Sequence, residues 1–512
     1  MESVNIASEA TAVMTSPRGL DISVPDPLRS ALTQWTVGAL TTQILWTRLF
    51  GAAAITAARR QRRAALLQHV RTHSPFYRNL WRDVPARAPQ LADLPVVTKT
   101  MLMSAFDTWS TDPDIRRPDV ETFIGTRAHI GERFLDRYLI WTSTGTTGQP
   151  GVFLQDDAAL AVYDALVTAQ LLGSAFASCD WQAAAAQSGR AALITAEGDH
   201  FASIASWRRV AHGKPWLDMK SFAVTRPVPD LVAALNDYQP AFVSSYPTML
   251  ALLADEQQAG RLQLKAAGLW AGGEVLSRSA HAAIEAAFGC PLLNEYGASE
   301  CLTIGHGCRE RVLHVNADWV ILEAVDRDYA PTPPGELSHT VLLTNLANLA
   351  QPIIRYDLGD RVRMLATPCA CGSALPAIEV VGRCDDVVTF VARDATLVRL
   401  IPLALTTVIE EAAHVHRFQI VQHAPDRLDV RLTASDRGRA GKTALRALRE
   451  LLDRNALHHI TVRLAADEPQ CDPRDGKLRQ VIALRDAPPL KPAAPSAPRS
   501  RRRGSSASRP SR

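Results

Sequence analysis

The stretch Trp141-Thr142-Ser143-Thr144-Gly145-Thr146-Thr147-Gly148-Gln149-Pro150-Gly151 decides how this chain is read. It concentrates hydroxyls and glycines at a density that a hydrophobic core cannot use. Gly145, Gly148 and Gly151 let the backbone turn its N–H groups toward one point. The threonines and Ser143 add short, rigid donors. Such a loop binds oxyanions, most often nucleotide phosphates. It is not the common P-loop, because no Gly-Lys-Ser/Thr follows. Taken alone, a Ser/Thr/Gly surface turn explains the loop as well; the downstream sequence weighs against that plainer reading.

The chain has 512 residues, 47% hydrophobic and 21% charged, which suits a globular protein of two or more domains. Its net charge of +4 sits in one place. Lys491, Arg499, Arg501, Arg502, Arg503, Arg509 and Arg512 occur with no acid among residues 491–512, and removing these seven from +4 leaves the rest at −3. That Pro/Ser/Ala/Arg tail has no apolar period and reads as disordered. No secretory signal is evident, and Gln43 and Arg48 interrupt the apolar-leaning Thr36–Ala58, which reads as one amphipathic helix rather than a membrane span. Eight cysteines are too sparse for a disulfide scaffold, so a reducing cytoplasm is expected.

A helix is predicted over 59–70, ending at Pro75, and another over 158–175. Strands are predicted at 191–195, 241–245 and 341–344, with a helix over 248–259 between them. Alternating strands and helices imply α/β layers around a largely parallel sheet. After Gly382-Arg383-Cys384-Asp385-Asp386, strands at 387–390, 418–422 and 428–432 and a helix over 442–454 suffice for a small α+β domain.

Further motifs follow the loop in order: Trp270-Ala271-Gly272-Gly273-Glu274, Asn294-Glu295-Tyr296-Gly297-Ala298-Ser299-Glu300, Arg355-Tyr356-Asp357-Leu358-Gly359-Asp360-Arg361, the Gly382–Asp386 segment, and Pro473-Arg474-Asp475-Gly476-Lys477-Leu478-Arg479. This ordered set resembles the adenylate-forming superfamily of acyl-CoA synthetases, adenylation domains and luciferases. His73-Ser74-Pro75-Phe76-Tyr77-Arg78, Leu94-Pro95-Val96-Val97-Thr98-Lys99 and Phe106-Asp107 resemble the lead-in of its phenylacetate–CoA ligase branch, which the deazaflavin-coenzyme adenylating synthetases share. The resemblance covers roughly residues 60–484.

It implies an α/β fold with a large multi-layer N-terminal adenylate-forming domain and a small mobile α+β C-terminal domain. The expected division is an extension over 1–58, the large domain over 59–382, a hinge at 383–386, the small domain over 387–486 and the basic tail over 487–512. It also implies an AMP-forming acid–CoA ligase acting on an aromatic or similar carboxylic acid, with ATP, Mg²⁺ and CoA. Attack of a carboxylate on the α-phosphate brings an anion to a polyanion, so preorganised donors and cations are the main requirement. The resemblance assigns phosphate contacts to Thr142, Ser143, Thr144, Gly145, Thr146, Thr147 and Gly148. It gives the adenine pocket to Gly273, Glu274, Asn294, Tyr296 and Gly297, the α-phosphate to Ser299, Mg²⁺ to Glu300, the ribose to Asp360 with Arg383 nearby, catalysis to Lys477, and the hinge to Asp385 or Asp386. Gln149 stands where relatives carry Lys, and Thr144 where they carry Gly.

Cys308-x5-His314 and Cys369-x-Cys371 supply three thiolates and an imidazole, a set that suits a closed tetrahedral Zn²⁺ site. Some relatives carry zinc at this pattern. Cys301, His306 and Cys384 are alternative ligands. Two further readings stand beside the ligase: an adenylating enzyme that passes its acyl group to an acyl carrier protein or leaves AMP on its product, and a non-catalytic nucleotide- or nucleic-acid-binding protein using the tail. The first two need no nucleic-acid partner. Relatives are often homodimers.

Overall fold

One sheet of nine strands runs through the middle of the molecule. Its order is Arg361–Met364, Ala377–Val381, Leu313–Val315, Cys301–Gly307, Leu292–Ala298, Gly268–Gly272, Phe242–Ser245, Ala191–Thr195, Met219–Ala223. The last five strands pair in parallel and the remainder antiparallel. The expected parallel sheet is therefore only half of what forms. A parallel pair needs a crossover, and the helices Ala202–Gly213, Val228–Tyr238, Pro247–Gln258 and Arg278–Phe288 supply them. Beyond Ala298 the chain doubles straight back into Cys301–Gly307, and no helix intervenes.

The computed structural model describes residues 26–85, 90–143, 150–173, 179, 181–214, 217–381, 387–415, 417–470 and 479–484. The predicted helix over 36–58 is instead two helices, Asp26–Leu49 and Ala52–His73, parted at Phe50 and Gly51. Gly51 has φ 80°, a left-handed value that ends a helix cheaply only at glycine. At the far end Ser74 accepts the backbone N–H of Tyr77 and starts the short helix Pro75–Leu80. No described helix is long and apolar enough to cross a membrane.

Asp157–Gly173 is buried along much of its length, from Ala159 to Gln170. It packs beside Asp26–Leu49 and the strand Cys301–Gly307. The largest apolar cluster collects Trp109, Trp141, Phe153, Tyr163 and Tyr356, all under 3% exposed. A buried indole N–H usually finds a partner, and that of Trp109 donates to the Pro352 carbonyl at 2.7 Å. A second cluster under the parallel strands gathers Ile194, Leu231, Leu250, Leu269 and Ile284.

A third, separate core lies after residue 387 and includes Phe390, Phe418, Leu428, Leu448 and Val481. Here a four-stranded sheet runs Thr461–Leu464, Arg427–Leu432, Phe418–Ala424, Val481–Ile482. Helices Pro402–Ala413 and Arg439–Arg454 pack on each other, and a hairpin of Val388–Val391 and Leu397–Leu400 precedes them. This unit leans on the larger body through Ile401 and Ala404, which join the second cluster, and through Arg399 to Asp255 at 2.5 Å. The Glu411 carboxylate presses onto Gly198, where a Cβ would meet its Cδ at 1.8 Å.

Candidate active site

The glycine-rich stretch joins two paired strands, Tyr138–Thr142 and Val152–Gln155. Thr142 and Ser143 are described at its near end, and Gly151 at its far end. The Ser143 N–H donates to the Gly151 carbonyl, and the Gly151 N–H donates to Ser143 Oγ, each at 2.9 Å. A Cβ on Gly151 would strike the Phe153 ring at 2.5 Å, so that position must be glycine. Thr144, Gly145, Thr146, Thr147, Gly148 and Gln149 lie outside the described residues, as do Arg383, Cys384, Asp385, Asp386 and Lys477.

Ser299 and Glu300 form the two-residue turn between Leu292–Ala298 and Cys301–Gly307. A Cβ on Gly297 would meet the Leu302 carbonyl oxygen at 1.9 Å, so the turn closes only over glycine. Ser299 Oγ donates to the Thr142 carbonyl at 3.0 Å, which ties this turn to the start of the phosphate loop. Glu300 is 6% exposed and accepts the Tyr356 hydroxyl at 2.6 Å. Burial raises its proton affinity, while the Tyr356 hydrogen bond and the Lys99 charge oppose that.

Lys99 is the functional candidate that motif reading passed over. Its Nζ donates to Ser143 Oγ at 3.2 Å, across 44 positions of sequence. It is the first residue of the helix Lys99–Ser104, capped by Thr98. A cation there opposes the helix dipole, and that cost was the available signal.

The remaining site residues divide. Tyr296 is 9% exposed and its hydroxyl donates to Asp360 at 2.9 Å, so ring and carboxylate are engaged with each other. Glu274 accepts both the N–H and the hydroxyl of Thr248, at 3.1 and 2.7 Å, and so anchors the helix Pro247–Gln258. Gly273, with φ +79°, faces the Tyr246 ring. Tyr246 in turn bonds Thr195 at 2.7 Å. Thr195 and Ser245 end the two strands from which the chain diverges to opposite sides, the usual crevice of an open α/β sheet. Asn294 lies opposite Ala271, half-exposed. The Arg355 guanidinium points away from these groups and holds the carbonyls of Ala92 and Leu94, which fixes the segment leading to Lys99.

Cys308, His314, Cys369 and Cys371 converge, with ligand atoms within 4.8 Å of one another. Ligands about 2.3 Å from one tetrahedral centre stand roughly 3.8 Å apart. The Cys308–Cys369 sulfurs are 3.8 Å apart and Cys371 Sγ is 3.4 Å from His314 Nε2. His314 Nδ1 lies 3.0 Å from the Leu375 carbonyl, which directs Nε2 inward, and the Ser373 N–H donates to Cys371 Sγ. The donor set fits Zn²⁺. His306 is instead bonded to Asn316, so it is not one of the four.

Residues 133–323 match the family model of the AMP-binding enzyme. That stretch is similar to the AMP-binding enzyme family. The matched stretch contains the glycine-rich loop, the Gly273–Glu274 turn and the Tyr296–Glu300 hairpin. The chain is 27% identical over 281 residues to phenylacetate-coenzyme A ligase of Thermus thermophilus, covering 50% of this chain and 62% of that protein. The match thus spans less than two thirds of that relative's length. Among solved structures, 2-hydroxyisobutyryl-CoA ligase in complex with 2-HIB-AMP and CoA in the thioesterification state is 21% identical, with 84% of this chain and 89% of that one covered and a TM-score of 0.48. Its open conformation gives 20%, 84%, 91% and 0.45.

Proposed function

We propose that the chain is an AMP-forming acid–CoA ligase. The observation that carries this is the meeting of Ser143, Lys99, Ser299 and Glu300 at the start of the glycine-rich loop. In the first step a carboxylate oxygen bonds the ATP α-phosphorus while the bond to the β-phosphate bridge breaks and pyrophosphate leaves. Thr142, Ser143 and the loop from Thr144 to Gly148 would donate to phosphate oxygens, and Lys99 would supply the cation that Gln149 lacks. Glu300 would hold Mg²⁺, whose charge would keep this buried carboxylate ionised. Ser299 would meet the α-phosphate. Tyr296 with Gly297, Gly273 and Asn294 would border the base, and Asp360 with Arg383 the ribose. Both Tyr296 and Asp360 must then exchange their mutual bond for ligand contacts.

Lys477 would bridge the developing charges. In the second step the CoA sulfur attacks the acyl carbon, AMP departs, and the thiol proton passes to solvent. We take 59–382 and 387–486 as the two working units, with a hinge at Asp385 or Asp386 that turns the smaller one between steps. An aromatic acid is favoured by the relative named phenylacetate-coenzyme A ligase. Cys308, His314, Cys369 and Cys371 would hold a structural Zn²⁺, which calls for the reducing cytoplasm.

ATP–pyrophosphate exchange across aryl, fatty and amino acids tests the reading. Exchange with an aryl acid, AMP release on adding CoA, and exchange reduced by orders of magnitude in Lys477→Ala are expected. Exchange without CoA-dependent AMP release would move the acceptor to a carrier protein or leave AMP on the product. No exchange with any acid would remove adenylation itself.

A further inference from the structure

Away from the candidate active site, the helix Ala52–His73 presents Thr56, Arg59, Arg60 and Arg63 on one stripe, at the three- and four-residue spacing of a helix face. These four residues, with Gln90 and Ile321, line a cavity of about 350 Å³. That is the size of a small-ligand pocket. The other arginines of this helix are engaged. Arg62 donates to the Asp318 carbonyl at 2.6 Å and lies 3.6 Å from the centre of the Trp319 ring, and Arg71 donates to the Pro85 carbonyl. In contrast, among the described residues Arg59, Arg60 and Arg63 have no carboxylate within salt-bridge distance, and Arg63 Nε is buried without a partner. Burial, and then the Arg63 charge, hold Arg59 below the ordinary guanidinium range.

Three like charges around one concavity repel each other, and a helix gains nothing from holding them there. Guanidiniums match phosphate oxygens two at a time, and they are stronger partners where water is partly excluded. We propose that this cavity is an anion site for a small molecule bearing a diphosphate, separate from the adenylation site. Thr56 would add a hydroxyl donor and Gln90 an amide. Free pyrophosphate and the diphosphate of a nucleotide share this chemistry.

Calorimetric titration with inorganic pyrophosphate in phosphate-free buffer tests it on the full chain. Wild type and Lys99→Ala, which is altered at the other phosphate site, should both show a binding event that weakens at least tenfold in Arg59→Gln/Arg63→Gln. Gln keeps helix propensity while removing the charge, and an unchanged thermal midpoint would show that the double variant is folded. A parallel titration with ADP distinguishes the sources: ADP binding that the same double variant loses assigns a nucleotide-borne diphosphate, and pyrophosphate binding alone assigns the free ion. Absence of the event in wild type, or its survival in the double variant, overturns the proposal.

Discussion

Lys99 shows how a single side chain joins distant parts of the sequence. It stands between Ser143 and the buried Glu300, where it counters the cost of a dry carboxylate. Losing one preorganised cation at a phosphoryl-transfer site costs on the order of 10²-fold. Lys99→Met should therefore lower ATP–pyrophosphate exchange by about that factor while leaving the folded midpoint within a few degrees. Exchange at the wild-type rate would place Lys99 outside the chemistry. Glu295 offers a second test at this scale. Burial pushes its carboxyl up from 4.5 to about 7, although the Trp270 indole N–H donates to it at 2.8 Å. The folded chain then keeps a proton that the unfolded chain releases, so this contribution to stability is complete below pH 4.5 and is lost as pH rises through 7. Glu295→Gln should be more stable than wild type at pH 8 by on the order of 1 kcal/mol, and nearly equal to it at pH 4. Urea unfolding at the two pH values measures this; His306, lowered by burial to about 3, titrates oppositely and cancels in the comparison of the two chains. Ser299 and Glu300 could be marked as candidates in the sequence because a motif names them, and the fold brings both beside Thr142 and Tyr356. Lys99 could not be, because its partner lies 44 positions away and only the folded chain sets the distance.

At the scale of elements, the antiparallel strands after Ala298 carry the Cys/His cluster at their margin. Cys308 follows the strand Cys301–Gly307, His314 lies within Leu313–Val315, and Cys369 and Cys371 sit in the connection between Arg361–Met364 and Ala377–Val381. A bound ion would staple neighbouring strands at the end of the sheet. Purified protein is expected to hold about one zinc per chain, and Cys371→Ser or a strong chelator should lower the thermal midpoint by several degrees. Metal analysis showing essentially no zinc would remove the staple. Strand and helix positions in the parallel half could be read from periodicity: the predicted 191–195 is Ala191–Thr195, and 248–259 is Pro247–Gln258. The antiparallel half could not, because its pairing depends on close backbone approaches at Gly297, against the Leu302 carbonyl, and at Gly305, against the His314 carbonyl. Similarly, two glycines fall in the apolar run over 36–58, and composition does not say that Gly51, rather than Gly38, divides it.

For the whole molecule, the question is how the unit after residue 387 rests on the larger body. It has a core of its own, and it meets the larger body through Ile401, Leu403 and Ala404, the Arg399–Asp255 pair and Glu411 against Gly198. Arg127 also reaches Glu411, at 3.4 Å. Under the proposed function the smaller unit turns between steps, and these contacts are the ones it would break and remake. The empty side-chain position at residue 198 then acts as a spacer set to zero. Gly198→Val would insert a wedge between the units without touching either core. Trypsin cleavage after Arg383 should rise several-fold while the thermal midpoint holds, and an unchanged cleavage rate would mean that this contact does not set the seating. Graded side chains at this one position would vary the separation of the two units stepwise and show which step of the cycle requires them closest.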